Sequence, residues 1–355
     1  MLFNIDADLG NQVFGWVMPN NPAATPTIIV HLDASHHVVV EASIYHALLK
    51  ERGLHNTGVC GFALNEDNCR GLTASNRLEI HEADTNLLLY RRRPDEEIIN
   101  KKFFRLEPQL FRSVAVDDAL GPHFQMAYSA LELQSEETIR AIIGIPFSSS
   151  VYTSGRIFWR FWEPMLRDRG YMVGILLRDP FYELAERLLI LKLASSPEGD
   201  SIADAIGPEV QAAASHLRKV DLRDISAIEA ALASPPHELR SIVCNPLTYL
   251  LTAANAFDPP PSPTTAIALE SLADMDAVGL RQDTESFFEL VSAVLEVSES
   301  LSADALPTSS TVVQWADVLR ERPAMRQLIE MDLVVYQTAA GIIERQHERT
   351  AAASA

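Results

Sequence analysis

Over residues 1–94, apolar and polar positions alternate in short bursts: Thr27–Leu32, Val38–Ala42, Leu78–His81 and Leu87–Tyr90. A period of two is the pattern of half-buried strands. Turn signals separate the bursts: Pro19-Asn20-Asn21-Pro22, Asp33-Ala34-Ser35, Gly58 and Gly61. Glu79–His81 and Leu87–Tyr90 are expected to pair as a hairpin, and Ile44–Arg52 to form a short helix. The whole reads as a small β-sandwich. Arg91-Arg92-Arg93-Pro94 ends it. Asp95-Glu96-Glu97 and Lys101-Lys102 mark a solvated connector.

Beyond residue 103 the apolar spacing turns helical, so the chain is expected to hold two independently folding domains, 1–94 and 103–355. Val173–Leu177 is a short apolar run between Gly170 and Asp179-Pro180, as in a central parallel strand. Pro180 suits the first turn of a helix, and Leu184, Leu188 and Leu191 recur at helical spacing. Helices are expected over Met126–Leu133 and Glu136–Ile143. The stretch from Ile145 to Arg156 is expected to open another, holding Trp159, Phe161, Trp162 and Leu166. Further helices follow around Ile225–Leu232, over His237–Leu251 with an interruption at Asn245-Pro246, and over Phe287–Leu301 and Met325–His347. Ala277–Leu280 reads as a short strand. Ser195–Asp200 and Asp258–Pro263 read as surface loops, and the tail from Thr350 as frayed.

Composition changes this picture in only a few respects. The chain has 355 residues, of which 47% are hydrophobic and 22% charged, enough to bury real cores. A formal net charge of −19 argues against a general nucleic-acid binder while leaving room for a local basic pocket. Cys60, Cys69 and Cys244 have no metal-ligand spacing, and an odd count argues against a disulfide framework. No transmembrane run is seen, and a cytoplasmic, bacterial protein is expected. Histidines crowd the first module. His36 and His37 are adjacent, so on a strand they point to opposite faces, and surface or core roles are favoured over a metal site.

Two stretches carry candidate chemistry. Arg178 falls at the carboxyl end of a strand and beside a helix N-terminus, where anions bind in open α/β sheets. The other reading is an Arg that caps a sheet edge or pairs with Asp179. Ser148, Ser149, Ser150, Thr153, Ser154 and Arg156 form a hydroxyl-rich turn. It can cradle a phosphate, or it can be a Ser-rich cap. His123, in Gly121-Pro122-His123, is either a general base or a turn histidine.

Two resemblances follow from these residues. Gly15-Trp16-Val17-Met18-Pro19-Asn20-Asn21-Pro22 and Gly58-Val59-Cys60-Gly61-Phe62 resemble β-sandwich modules fused to bacterial glycosyltransferases and sulfotransferases. Arg178-Asp179-Pro180, Asn245-Pro246-Leu247-Thr248, the segment Ala268–Phe288 and Met331–Tyr336 resemble, in order, carbohydrate sulfotransferases of the second sulfotransferase superfamily. That resemblance implies a P-loop, three-layer α/β domain with a helical C-terminal part. It implies 3′-phosphoadenosine 5′-phosphosulfate as cofactor, held by Ser148, Ser149, Ser150, Ser154 and Arg178. Arg156 would then supply charge to the transferring group and His123 would act as base, with a bacterial surface glycan as acceptor. The oligomeric state is left open, a homo-oligomer included.

The chain departs from the family pattern in places. It has no lysine between Lys102 and Lys192, Phe147 stands where the family loop has Lys, and Glu186 stands where the family has Ser. In a second alignment Val151–Arg156 is the second strand of the fold and the first phosphate loop is missing. The expected function is sulfuryl transfer to a carbohydrate hydroxyl. The alternative is a catalytically inactive relative that binds a glycan or a protein.

Overall fold

The computed structural model describes all residues except 34, 197–201, 203–204, 256–257, 260, 298–300, 303–305, 307 and 355. Most of the expected Ser195–Asp200 loop therefore lies outside the described residues. The chain divides into two compact units. The first comprises Met1–Phe103, Leu120–Thr153 and Arg169–Tyr171; the second comprises Phe104–Ala119, Ser154–Asp168 and Met172–Ala355.

The first unit holds two four-stranded antiparallel sheets. β1 (Leu2–Asp8), β2 (Val13–Met18), β5 (Ile44–Tyr45) and β6 (Val59–Leu64) run in the order β1-β2-β6-β5. β3 (Thr27–His31), β4 (His37–Glu41), β7 (Leu78–Glu82) and β8 (Leu88–Arg92) run in the order β4-β3-β7-β8. Alternation sets their faces: Ile28 and Val30 are buried on β3 while Thr27, Ile29 and His31 are half-exposed. The expected hairpin is present, with Ile80 opposite Tyr90. Gly15 permits a close approach of β1 and β2, since a Cβ there would lie 2.7 Å from the Asn4 carbonyl oxygen. Asp8 joins one sheet to the other, accepting from Arg92 Nε at 2.7 Å and Tyr90 Oη at 2.9 Å. The helix expected over Ile44–Arg52 is shortened to α1 (Ala47–Glu51), because Ile44 and Tyr45 pair with β6 instead.

A five-stranded parallel sheet contains β9 (Lys102–Leu106), β10 (Met126–Tyr128), β11 (Val151–Gly155), β12 (Tyr171–Leu177) and β13 (Ala277–Leu280). Its order is β10-β11-β9-β12-β13. Val173–Leu177 is thus the interior strand that its apolar run predicts, and Val173 and Ile175 are fully buried. Gly170 turns the chain into β12 at φ 74°, a left-handed conformation that suits glycine.

One helical expectation fails here. Met126–Leu133 is not a helix: Met126–Tyr128 pairs in parallel with Val151–Thr153, and only Leu131–Leu133 makes a helical turn. The stretch before Trp159 follows the second alignment. Val151–Gly155 is a strand buried at every position, and the helix begins at Trp159. Strands of three to five residues are too short to establish a period, so their partners decide their state.

After α1 come α2 (Val114–Leu120), α3 (Glu136–Ile143) and α4 (Trp159–Asp168). Those of the second half begin with α5 (Pro180–Ala194), α6 (Pro208–Leu217), α7 (Ile225–Leu232), α8 (His237–Val243) and α9 (Pro246–Thr252). They continue with α10 (Thr264–Ala273), α11 (Thr284–Leu295), α12 (Ser310–Arg320), α13 (Pro323–Leu328) and α14 (Glu330–Ser354). Leu184, Leu188 and Leu191 of α5 sit in a core with Ile228, Leu232, Val243 and Leu319. The tail beyond Thr350, expected to fray, continues α14 to Ser354. Among the described residues no helix is long and apolar enough to cross a membrane.

Candidate functional site

The sheet order places β9 between β11 and β12, although β10 follows β9 in the chain. Connections therefore leave β9 and β12 in opposite directions. Ligands in open α/β sheets bind outside the carboxyl ends of strands at such a reversal. In the second unit that edge carries Glu107 to Ser113 after β9, Arg156 after β11, Arg178 after β12 and Arg281 after β13.

A continuous polar network fills this edge. Arg105, 1% exposed, donates to Glu107 Oε2 at 2.7 Å and to Asp117 Oδ1 at 2.8 Å. Ser154 Oγ donates to the same Asp117 oxygen at 2.7 Å. The loop after β9 is folded around the Glu107 carboxylate, which accepts from the backbone N–H groups of Ser113 at 2.8 Å and Gln109 at 3.3 Å. Ser113 Oγ donates to Gln109 Oε1 at 2.9 Å and accepts from Arg281 Nη1 at 2.9 Å. Gln109 Oε1 also accepts from Arg178 Nη2 at 3.4 Å.

Arg178 is itself closed. Its Nη1 donates to Glu186 and lies 3.6 Å from Glu183 Oε2, and its side chain is only 8% exposed. Burial disfavours the Arg178 charge, but Glu183 and Glu186 outweigh it and raise the guanidinium's pKa above its ordinary value. Burial and then repulsion by Glu183 push the Glu186 carboxyl up, against the pull of Arg178. Glu183 in turn accepts from Arg187 Nε at 2.8 Å, and Arg187 donates to the Pro108 and Ile242 carbonyls. The helix end beside Arg178 is occupied too: Asp179 Oδ1 accepts from the backbone N–H of Phe181 and of Tyr182, both at 3.0 Å.

Next to this cluster, Asn245 and Asp332 cap each other's helices. Asn245 Oδ1 accepts from Met331 N at 2.8 Å, at the start of α14, while Asp332 accepts from Leu247 N at 3.0 Å and Thr248 N at 2.7 Å on α9. Burial pushes the Asp332 carboxyl up to about 6 despite these donors. A cavity of about 20 Å³ lies among Arg178, Glu183, Arg187, Leu247 and Asp332. It has room for one water molecule and none for a phosphoryl or sulfuryl group.

The hydroxyl-rich turn belongs elsewhere. Ser148 and Ser150 lie in the first unit, where Ser148 Oγ donates to Gln125 Oε1 at 2.7 Å and Ser150 Oγ accepts from Gln125 N at 2.9 Å. Ser149 donates to Asn100. These hydroxyls hold the turn. His123 closes an exposed helical turn, and its carbonyl accepts from Ile99 N at 2.7 Å. Arg156 Nη2 donates to the Ile206 carbonyl at 2.9 Å. Of the expected site residues, then, Ser154 and Arg178 join one network in the second unit. Ser148 to Ser150 and His123 fall in the first.

Sequence reasoning missed Arg105, Glu107 and Asp117. The available signal was a charge on either side of Leu106, directly after the apolar pair Phe103-Phe104. No protein-family model matches the chain, and no curated protein matches it significantly.

The second unit also has a cleft of about 860 Å³ lined by Tyr249, His237, Arg240, Cys244, Met325 and Met331 among others. Its size is that of an ordinary small-molecule site.

Proposed function

We propose that this protein is a catalytically inactive, sulfotransferase-like protein of bacterial surface-glycan modification, working in the cytoplasm as a glycan- or protein-binding module. In this reading the parallel sheet and its helices are the degenerate three-layer P-loop domain, and the eight N-terminal strands are the accessory β-sandwich. The observation that carries it is the closure of Arg178. Its guanidinium is paired to Glu186, its helix N-terminus is capped by Asp179, and the adjoining cavity is about 20 Å³. A nucleotide phosphate must displace Glu186 from a buried pair. Breaking such a pair costs about 3–5 kcal/mol, or roughly two to four orders of magnitude in affinity. The absence of lysine between Lys102 and Lys192 removes the usual charge for the transferring group.

A second reading, an active sulfotransferase using 3′-phosphoadenosine 5′-phosphosulfate, is favoured by one observation. The carboxyl edge at the strand-order reversal holds Arg178, Arg281 and Arg156 together in one unit. Calorimetric titration of adenosine 3′,5′-bisphosphate separates the two. The inactive reading expects no heat from the wild type at about millimolar ligand, and binding that appears or strengthens in Glu186→Ser. Micromolar binding by the wild type, with sulfuryl transfer to a carbohydrate, would establish the second reading.

A further inference from the structure

The first unit carries an open groove of about 500 Å³ at one end of β3 and β7. Two arginines, two carboxylates and two histidines line it. Glu79 accepts from Arg91 Nε at 2.6 Å and from His81 Nε2 at 3.1 Å, and Arg77 pairs with Glu97. Asp33 stands on the exposed rim, where its Oδ1 accepts from Ser35 N and His36 N, both at 2.8 Å. Arg93 is the lining cation without a carboxylate. It is half-buried, its Nη1 donates to the Pro122 carbonyl, and among the described residues it pairs with no carboxylate. Burial and then the nearby Arg91 lower its pKa, while Glu79 and Glu97 act the other way.

The rest of the lining selects the kind of anion. Among the described residues Leu32 and Leu78 are the only apolar side chains there, and Leu78 is buried. An apolar acid therefore finds little to cover. His31 sits edge-to-face with His81 at 5.4 Å, and its ring nitrogens have no hydrogen-bond partner among the described residues. They are available to a hydroxyl group. A long polyanion is opposed by the net charge of −19, whereas a single anionic unit is not.

We propose that this groove binds one acidic sugar unit, its carboxylate or sulfate ester on Arg93 and its hydroxyls on His31. The proposal deepens the glycan-binding reading and rests on it. It is tested on the full chain by calorimetry with galacturonate, galactose 6-sulfate and neutral galactose, alongside imidazole NMR of His31 and His81. The expected result is binding of an acidic saccharide over galactose, with both imidazoles shifted. Arg93→Gln should weaken it about ten- to a hundredfold, the value of a charge-assisted bond. Arg77→Gln, whose guanidinium already has Glu97, should change it less than about threefold. The acid that binds tells carboxylate from sulfate recognition. Binding that survives Arg93→Gln in a protein of unchanged melting temperature, or that leaves both imidazoles unshifted, overturns the groove and spares the glycan reading. No binding of any of the three at about 10 mM overturns the groove and removes the support for glycan binding with it.

Discussion

Arg178 and Arg93 make an instructive pair. Arg178 occupies the better address: the carboxyl end of a central parallel strand, beside a 15-residue helix. Arg93 follows an antiparallel strand and faces an open groove. By topology alone the ligand belongs to Arg178. By charge it belongs to Arg93, because Arg178 has Glu186 and Glu183 while Arg93 has only a carbonyl. Topology says where an anion site can be built. Whether one is open depends on whether the chain has already supplied the anion.

Around Arg178 the supply is complete. Arg105, Arg156, Arg178, Arg187 and Arg281 share the edge and its surroundings with Glu107, Asp117, Glu183, Glu186 and Asp332, five of each sign. Removing one member should be costly. Arg105→Met strands two buried carboxylates and is expected to lower unfolding free energy by about 3–5 kcal/mol. Arg93→Gln should cost under about 1 kcal/mol, since its guanidinium meets solvent and no carboxylate depends on it. Urea denaturation of both variants measures the contrast, and equal losses would abolish it.

The two regions should also answer pH with opposite signs. Asp332 is fully buried and its carboxyl is raised from 3.8 to about 6. Between those values the folded chain keeps a proton that the unfolded chain has lost. Its contribution is therefore greatest below about pH 4 and falls as pH rises through about 6, by about 3 kcal/mol in total. The stability difference between wild type and Asp332→Asn should decline across that window; a flat difference would show that the capping donors offset burial.

Glu79, in the groove, behaves the other way. The His81 hydrogen bond and the Arg91 charge, working against burial, lower its carboxyl from 4.5 to about 2. Its contribution is present above pH 4.5 and lost as pH falls toward 2. The side chain is 35% exposed, so screening cuts the effect to about 1 kcal/mol. Acid titration of wild type against Glu79→Gln, followed by circular dichroism, should show the advantage of the wild type shrinking below about pH 4. An advantage that grows in acid would assign Glu79 a proton rather than a charge.

Much of this was legible in the chain. Val173–Leu177 announced an interior strand, because five apolar residues between Gly170 and Asp179-Pro180 fit little else. Asp179-Pro180 announced the helix start, and the hairpin of β7 and β8 was readable from its alternation. Glu186 was visible as a conflict with a phosphate at Arg178; the structure makes it the partner of Arg178. The loop after β9 was not legible. It lacks the glycines and lysine that mark a phosphate loop, and what orders it is a carboxylate accepting its backbone N–H groups.

By itself the sequence determined which segments are strands and helices wherever a run was long or its periodicity clear, since that information is local. It also determined the charges available, Arg178 and Glu186 eight positions apart among them. Tertiary structure decided between the two sequence readings of Val151–Gly155 in favour of a strand, because five buried residues carry no period and parallel neighbours fix them. It decided, too, which charges meet. Arg105 finds Asp117 twelve positions away, while Arg93 finds no carboxylate within the described chain. Coulomb attraction depends on separation in space and on burial, and neither is written in the spacing of residues along a chain.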